Sequence, residues 1–254
     1  MCNFLSVLVL KNGRILHHPM LDSHADLVAY FNLPDDTPFL ERFAKAELTP
    51  VDWLDPSTWK WRIDEAMRPQ WLEDVEATAE AATRAIAKKM ILTGDTKIPR
   101  LIVDGCWIVG GKSVVRDVRG GRIIRVQDSA QVSLVRGSAQ VSHVWGSAQV
   151  SHVWGSAQVS HVGDSAQVSH VGGSAQVSDV WGSAQVSDVW DSAQVSHVWG
   201  SAQVSDVGDS AQVSHVRGSA QVSHVWGSAQ VSDVGENVVL DDSAKAHLVG
   251  QVAK

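Results

Sequence analysis

The sequence predicts a mainly β protein, in which a small α+β domain precedes a β-solenoid (β-helix) of nine-residue repeats. Two observations lead to this prediction. From Asp128 to Gly235 the chain divides without insertion into twelve blocks of nine residues with apolar residues at fixed positions. The residues before about 97 show no such repeat and have a different composition. A repeat too short to bury its own apolar side must stack on its neighbours, as in a solenoid.

The block Gly137–Trp145 reads GSAQVSHVW and serves as the prototype. Positions 2 to 6 always read Ser-Ala-Gln-Val-Ser and position 8 is always Val, so that only positions 1, 7 and 9 vary. Ala and Val alternate with Gln, which is the two-residue period of a β-strand. We therefore expect two short strands per block, Ala-Gln-Val and His-Val-Trp, separated by Ser at position 6. Gly-Ser or Asp-Ser at positions 1 and 2 supplies the turn.

The number of residues in one coil follows from the space that a core requires. Nine extended residues span at most about 30 Å, whereas facing sheets lie about 10 Å apart. A coil of one block would be tight, although Ala and Val fill little space, so this alternative stays open. We favour a coil of eighteen residues. Because the variable positions show no parity between odd and even blocks, such a coil would be nearly two-fold symmetric.

Both ends of the array carry degenerate copies of the repeat. GKSVVRDVR and GGRIIRVQ precede it, and we expect their inward residues to be Val115, Val118, Ile124 and Val126. The first coil is predicted to begin within residues 102–111. Residues 236–254 keep echoes of the repeat but add Asp and Lys, which suits a polar cap that discourages edge-to-edge pairing.

These changes in pattern predict four segments: an α+β domain at 1–97, a transition with the first coils at 98–127, the solenoid at 128–235 and a cap at 236–254. In the first segment, FLSVLVL and RILHHP flank an Asn-Gly turn, the strongest short hairpin signal. Ser23 is a candidate N-cap for a helix through HADLVAYFNL, and FAKAELTP and WKWRID are candidate strands. A long helix is predicted from Gln70 to Leu92, with an apolar stripe of Trp71, Val75, Ala79, Ala82 and Ile86. We expect this domain to cap the first coil.

Composition argues against several classes of protein. A net charge of −7 does not suit a general nucleic-acid binder. Cys2 and Cys106 are too few for a disulfide framework. The N-terminus lacks the charged lead and cleavage site of a signal peptide, and no apolar run approaches the roughly 20 residues that span a bilayer. We expect a soluble protein of a reducing compartment, with no membrane partner and no cofactor.

The opening MCNFLSVLVLKNGRILHHPMLDSHADLVAYFNL, with ELTP, WKWRIDEAMRPQWLED and DGCWIVGG, resembles a family of uncharacterised bacteriophage and prophage proteins. In that family a similar front domain precedes tandem nonapeptides of the Ser-Ala-x-Val type, and the resemblance covers essentially the whole chain. It implies a phage-encoded accessory protein in the cytoplasm of a bacterial host, and it carries over no catalytic residue. The chain departs from the family in having Val at position 8, where Met is common, and Ser-His in place of charged pairs. A narrower core and a more neutral surface would follow.

Six tryptophans occupy position 9 and are candidate binding residues: Trp145, Trp154, Trp181, Trp190, Trp199 and Trp226. Their sequence neighbours are mostly Gly and Ser, so we expect an exposed aromatic stripe that docks a partner or a second copy. The alternative is that the rings stack on one another and shield the turns. Nucleic-acid bases also stack on such rings, but only Arg136 and Arg217 supply positive charge within the blocks.

Position 7 forms a polar ladder with seven histidines: His143, His152, His161, His170, His197, His215 and His224. Imidazole is a suitable ligand for transition metals, but a tetrahedral site needs ligands that converge on one point, and Asp replaces His in four blocks. We therefore interpret the ladder as surface polarity and predict no metal. The nine-residue period lacks the Asp of calcium-binding repeats. Ice binding is disfavoured as well, because such solenoids favour Thr.

The sequence favours a non-enzymatic protein that presents a repeated surface for multivalent binding of a host or phage partner. Two alternatives stay open. The first is a self-assembling structural element. The second is an N-terminal amidohydrolase, in which Cys2 would be exposed by removal of Met1 and its own amine would activate the thiol. Only the first two residues, Met1 and Cys2, match the start of such enzymes, and the Gly-Ile that follows in them is missing here.

Overall fold

The computed structural model describes residues 5–34, 42–99 and 106–249. The chain forms two compact units, Met1–Ile91 and Leu92–Lys254. None of the helices in the described residues is long and apolar enough to cross a membrane.

The first unit is a four-stranded antiparallel sheet with helices, in the order β2-β1-β3-β4. Its elements are β1 (Leu5–Leu10), β2 (Ile15–Leu16), α1 (His24–Tyr30), β3 (Phe43–Thr49), β4 (Lys60–Ile63), a 3-10 helix (Gln70–Leu72) and α2 (Glu76–Lys89). The predicted hairpin is confirmed, with Gly13 at φ 76° in its turn. The predicted cap is also confirmed, since the Asp26 amide donates to Ser23 Oγ at 3.5 Å. Both candidate strands are present.

The prediction of one continuous helix from Gln70 to Leu92 is wrong. The 3-10 helix covers its start, Val75 has a non-helical φ of −122°, and α2 ends at Lys89. The chain leaves the helix because Leu92 belongs to the core of the second unit, a tertiary demand that overrides the helical period. On α2 the buried side chains are Ala79, Thr83 and Ala87, whereas Ala82 and Ile86 of the expected stripe are half-buried.

The second unit consists of two parallel sheets, with α3 (Asp242–Ala246) near its end. The nine-stranded sheet contains β6 (Lys97–Ile98), β8 (Val114–Val115), β10 (Gln131–Val135), β12 (Gln149–Val153), β14 (Gln167–Val171), β16 (Gln185–Val189), β18 (Gln203–Val207), β20 (Gln221–Val222) and β22 (Val239–Leu240). The ten-stranded sheet contains β5 (Ile91–Leu92), β7 (Cys106–Val109), β9 (Arg122–Val126), β11 (Gln140–Val144), β13 (Gln158–Val162), β15 (Gln176–Val180), β17 (Gln194–Val198), β19 (Gln212–Val213), β21 (Gln230–Ser232) and β23 (Leu248–Val249).

One coil contains eighteen residues, as predicted. Strands of the same sheet pair in parallel at this interval, for example Gln140 with Gln158 and Val141 with Val159. In each of the first nine blocks, one strand runs from position 4 to position 8. The expectation of two strands per block is therefore wrong for these nine blocks. Ser at position 6 stays extended and continues the ladder, and the chain reverses only at the next Gly-Ser or Asp-Ser. Odd blocks form one sheet and even blocks the other.

Position 1 admits only Gly or Asp because it lies in the left-handed region in all twelve blocks, with φ between 56° and 72°. Most side chains are disfavoured in this region, but Asp enters it more readily than others. The Asp carboxylate also accepts a hydrogen bond from a backbone amide. Asp164 Oδ2 accepts the amide of Gly146 at 3.1 Å, and Asp191 Oδ2 accepts that of Gly173 at 2.8 Å, each one coil earlier. This bond offsets part of the backbone strain.

The core of the solenoid is a continuous column of Ala from position 3 and Val from positions 5 and 8. All of these side chains are at most 2% exposed, which confirms the predicted inward positions. Val115, Val118 and Val126 continue the column as expected. Ile124 does not, because Ile123 pairs with Val141 and takes the inward place. The solenoid also starts earlier than predicted, since β5 and β6 already belong to its sheets.

The last three blocks differ from the first nine. Position 7, occupied by His215, His224 and Asp233, has φ between 49° and 51°, so that the strands shorten and the following Val forms an isolated bridge. Among the twelve blocks, only these three have two segments each. After them, Asp241 caps α3 by accepting from the Ala244 amide at 2.8 Å. The Ser243 hydroxyl and the amides of His224 and Ala244 lower the pKa of Asp241 to about 2.

Candidate binding surfaces of the solenoid

Position 9 lies where each strand ends and the chain turns to the other sheet, so odd and even blocks place it on opposite edges of the coil. The first edge carries, in order, Arg136, Trp154, Gly172, Trp190, Gly208 and Trp226. The second edge carries Trp145, Gly163, Trp181, Trp199, Arg217 and Gly235. The six tryptophans that the sequence placed on one stripe therefore form two groups of three. Tryptophan and glycine alternate along most of the first edge.

Five of the six indole rings are exposed to between 38% and 52%, and only Trp145 is more buried. Its ring lies under the Arg125 guanidinium, with Cζ 4.1 Å from the ring centroid, a cation–π geometry. It also meets Trp181 edge to face, with centroids 6.0 Å apart. Trp190 and Trp199 instead lie edge-on to histidines, namely His170 at 6.5 Å and His197 at 6.3 Å. The alternative that the indole rings pack on one another thus holds for one pair of repeat tryptophans, Trp145 and Trp181.

Glycine at position 9 makes room for an indole from the adjacent coil. A Cβ at Gly163 would lie 2.7 Å from Trp181 Cε2, and a Cβ at Gly208 would overlap Trp226 Cζ2. At Gly172 the nearest ring is that of Trp154, at 3.3 Å. These contacts explain why Trp and Gly tend to follow each other at the eighteen-residue interval. The rings rest on backbone and keep their outer sides in solvent.

Both arginines at position 9 are paired with aspartates. Arg136 Nη2 lies 2.7 Å from Asp117 Oδ2, and this side chain lowers the pKa of Asp117 to about 2. Arg217 Nη2 lies 2.5 Å from Asp233 Oδ1 and lowers the pKa of Asp233. The positive charges within the blocks are therefore held against carboxylates.

Position 7 forms one row on the outer face of each sheet. The ten-stranded sheet carries His143, His161, Asp179, His197, His215 and Asp233, and the nine-stranded sheet carries Leu134, His152, His170, Asp188, Asp206 and His224. Neighbouring imidazoles stack, for example His143 on His161 with centroids 4.9 Å apart and His152 on His170 at 4.6 Å. The predicted ladder is thus two ladders, each with a backbone spacing of one strand.

Aspartates in these rows lie close to histidines of adjacent coils. His170 Nε2 is 2.9 Å from Asp188 Oδ2, and Asp179 lies between His161 at 3.3 Å and His197 at 3.2 Å. Burial lowers the pKa of His143, the carbonyl of Ile124 opposes this effect, and the neighbouring His161 adds to it. Within the described ranges, no group of three or more His, Cys, Asp or Glu side chains is placed to hold a metal ion.

The first unit contains a cleft, lined by both polar and apolar side chains, that sequence reasoning did not single out. It has a volume of about 480 Å³ and is lined by Ser23, His24, Phe43, Lys45 and Asp64, among others. His24 is buried, with Nε2 2.9 Å from the Ala46 carbonyl and Nδ1 3.3 Å from Asp64 Oδ2. Ser23 caps α1. These groups are engaged in structural contacts, and nothing in their sequence spacing marks them as a set. Cys2, the candidate nucleophile, lies outside the described residues.

Comparisons with protein families, with curated proteins and with solved structures found no match to this chain.

Proposed function

We propose that this protein is a non-catalytic binding protein, whose solenoid presents tryptophans along two edges for multivalent contact with a protein partner. The observation that carries this proposal is the eighteen-residue register. It sets Trp154, Trp190 and Trp226 two coils apart on the first edge, a spacing of about 9.6 Å from the usual distance between strands. A partner that binds one indole is thereby held near the next.

The chemistry of the two edges suits weak repeated contacts. Tryptophan is over-represented among the residues that dominate binding energy at protein interfaces. Each exposed ring here rests on backbone or on an imidazole, so its orientation is restrained before a partner arrives. Several such contacts in one rigid array combine into an avidity that exceeds any single contact. Nearly identical blocks also allow the number of contacts to change by insertion or loss of whole coils.

The resemblance to phage proteins supplies the setting of this proposal. The protein would act as a phage-encoded accessory factor in the cytoplasm of a bacterial host and bind a host or phage protein. Its acidic charge of −7 and its paired arginines favour a protein over a nucleic acid as partner.

Two triple variants test the proposal because they change one edge at a time. Trp154, Trp190 and Trp226 are changed to Gly in one, and Trp145, Trp181 and Trp199 in the other. Glycine already occupies position 9 in four blocks, so each variant can be checked for an unchanged circular dichroism spectrum. Binding is measured by quantitative pull-down from host lysate. We expect one triple variant to lose a specific partner that wild type retains.

A deletion variant tests multivalency separately. Removal of four consecutive blocks, 155–190, keeps the phase of the coil and removes Trp181 and Trp190. Avidity predicts a loss of affinity for the recovered partner that is larger than the fraction of tryptophans removed. A partner that binds both triple variants and the deletion variant as tightly as wild type would contradict the proposal.

Self-association is a second candidate function, favoured by the last strands of the two sheets. Val239 of β22 is 54% exposed and Val249 of β23 is 50% exposed. Apolar side chains on terminal strands promote pairing between sheet edges. Sedimentation of wild type against a Val239→Lys variant tests it, since assembly through this end predicts large species that the lysine abolishes.

A further inference from the structure

Trp181 and Trp199 are the only two tryptophans of the twelve blocks that follow each other at the eighteen-residue interval. At every other repeat tryptophan, the residue at position 9 of an adjacent coil is Gly or Arg, or lies outside the twelve blocks. The second edge therefore contains a pair of indoles in adjacent coils, which the first edge lacks.

The two rings do not close on each other. Trp181 is inclined toward Gly163, over which it meets the edge of Trp145. Trp199 lies next to His197 and is the most exposed of the repeat tryptophans, at 52%. A cleft of about 180 Å³ lies between them, lined by His161, Asp179, Val180, Trp181 and Trp199.

The cleft is apolar except for one carboxylate and one imidazole. The Asp179 side chain is 37% exposed, with one oxygen 3.3 Å from His161 Nε2 and the other 3.2 Å from His197 Nδ1. Arg217 in the next coil does not supply a cation here, because it is paired with Asp233. Asp179 is thus the acidic group that can face a bound cation in this cleft.

We propose that this cleft binds a small organic cation of the methylated-ammonium class. The face of an indole attracts a cation through its quadrupole, and the attraction is strongest for cations that are weakly hydrated. Methyl groups on the nitrogen reduce its hydration and also pack against apolar walls, while the charge faces Asp179. The cleft shares Trp181 and Trp199 with the second edge. It depends on one pair of indoles in adjacent coils and on Asp179 rather than on the whole array, so its binding of a cation does not require multivalent contact.

Choline is the probe, and its uncharged carbon isostere dimethylbutanol is the control ligand, both followed by tryptophan fluorescence and by chemical shifts in NMR spectra. We expect saturable binding of choline and about two- to five-fold weaker binding of the isostere, the range that corresponds to one exposed cation–π contact. Trp199→Gly and Asp179→His should each weaken choline binding by a similar factor. Trp226→Gly on the first edge should leave it unchanged.

The substitutions should leave the fold intact, because Gly at position 9 and His at position 7 occur in other blocks. Circular dichroism verifies this for each. Equal affinity for choline and dimethylbutanol would show an apolar cleft without cation recognition and would overturn the proposal. Loss of binding in Trp226→Gly to the same extent as in Trp199→Gly, or no saturable binding of choline to wild type, would also overturn it.

Discussion

The two units bury apolar side chains in different ways. In the first unit, Leu5, Leu8, Leu27, Leu48 and Trp59 are large, fully buried and placed by a sheet and helices of unlike sequence. In the second, the core is Ala and Val, and each coil packs against only the coils before and after it. The first core therefore depends on the fit of individual side chains, and the second on register. Loss of one contact should be severe in the first and modest in the second.

Truncation of core side chains gives the largest expected effect and tests this difference directly. Leu27→Ala should lower the free energy of unfolding by about 2–5 kcal/mol, the range for buried leucines. Val186→Ala, in the middle of the solenoid, should cost only about 1–3 kcal/mol, because fewer methyl groups are lost. Urea denaturation followed by circular dichroism measures both. An equal or larger cost at Val186 would contradict the comparison.

Substitutions of turn glycines give the second largest expected effect on stability and compare one turn from each unit. Gly13 and Gly182 both have φ near 70°, so that a β-branched side chain should cost about 1–2 kcal/mol or more at either. Substitution by aspartate should affect the two positions differently. At residue 182 its carboxylate can accept the amide of Asp164, as Asp191 does from Gly173, whereas a Cβ at residue 13 faces side chains of Val75 and Thr78.

We therefore expect Gly182→Asp to be nearly neutral and Gly13→Asp to lower the melting temperature, as measured by differential scanning calorimetry. A destabilised Gly182→Asp variant would show that the carboxylate does not offset the strain. Gly182→Val is the matched control, and it should be destabilised in either case.

Substitution of a position-9 glycine that contacts an indole should lower the free energy of unfolding by less than about 1 kcal/mol, because a surface indole can move. Gly208→Ala places Cβ against the Trp226 ring and should displace it into solvent. We expect a red shift of tryptophan emission, and a cost in stability that vanishes in a Trp226→Gly background. Gly235→Ala, which meets only the flexible Arg217 side chain and backbone, should leave the emission unchanged.

The smallest expected effect is the dependence of stability on pH. Burial lowers the pKa of His17 in the first unit and of His143 in the second. The unfolded chain then binds more protons than the folded one below the ordinary value of about 6.5, so that stability falls as pH decreases from there. The melting temperature should be lower at about pH 5 than at about pH 7.5, with the difference reduced in His143→Leu and in His17→Leu.

Leucine already occupies position 7 at Leu134, so His143→Leu is compatible with the coil. A wild type that is more stable at the lower pH would contradict the prediction.

Sequence reasoning predicted those features of the fold that depend on local alternation. The inward places of Ala and Val, the eighteen-residue coil, the hairpin at Asn12-Gly13 and the cap at Ser23 are all confirmed. The end of α2 and the choice of Ile123 over Ile124 were predicted wrongly. At both places the chain must meet the register of the solenoid, which two adjacent apolar residues or a continuing helical period do not specify.

The repeated nonapeptide by itself determined that a column of small aliphatic side chains would be dry and that positions 1, 7 and 9 would lie outside this column. Alternation along a strand is a property of a few consecutive residues, so it can be read from the repeat. Only the tertiary structure decided which variable residues become neighbours. The stacking of residue i on residue i+18 divided the tryptophans between two edges, seated indoles on glycines and set Trp181 beside Trp199. These contacts join distant parts of the chain, and their geometry depends on side chains from several coils at once.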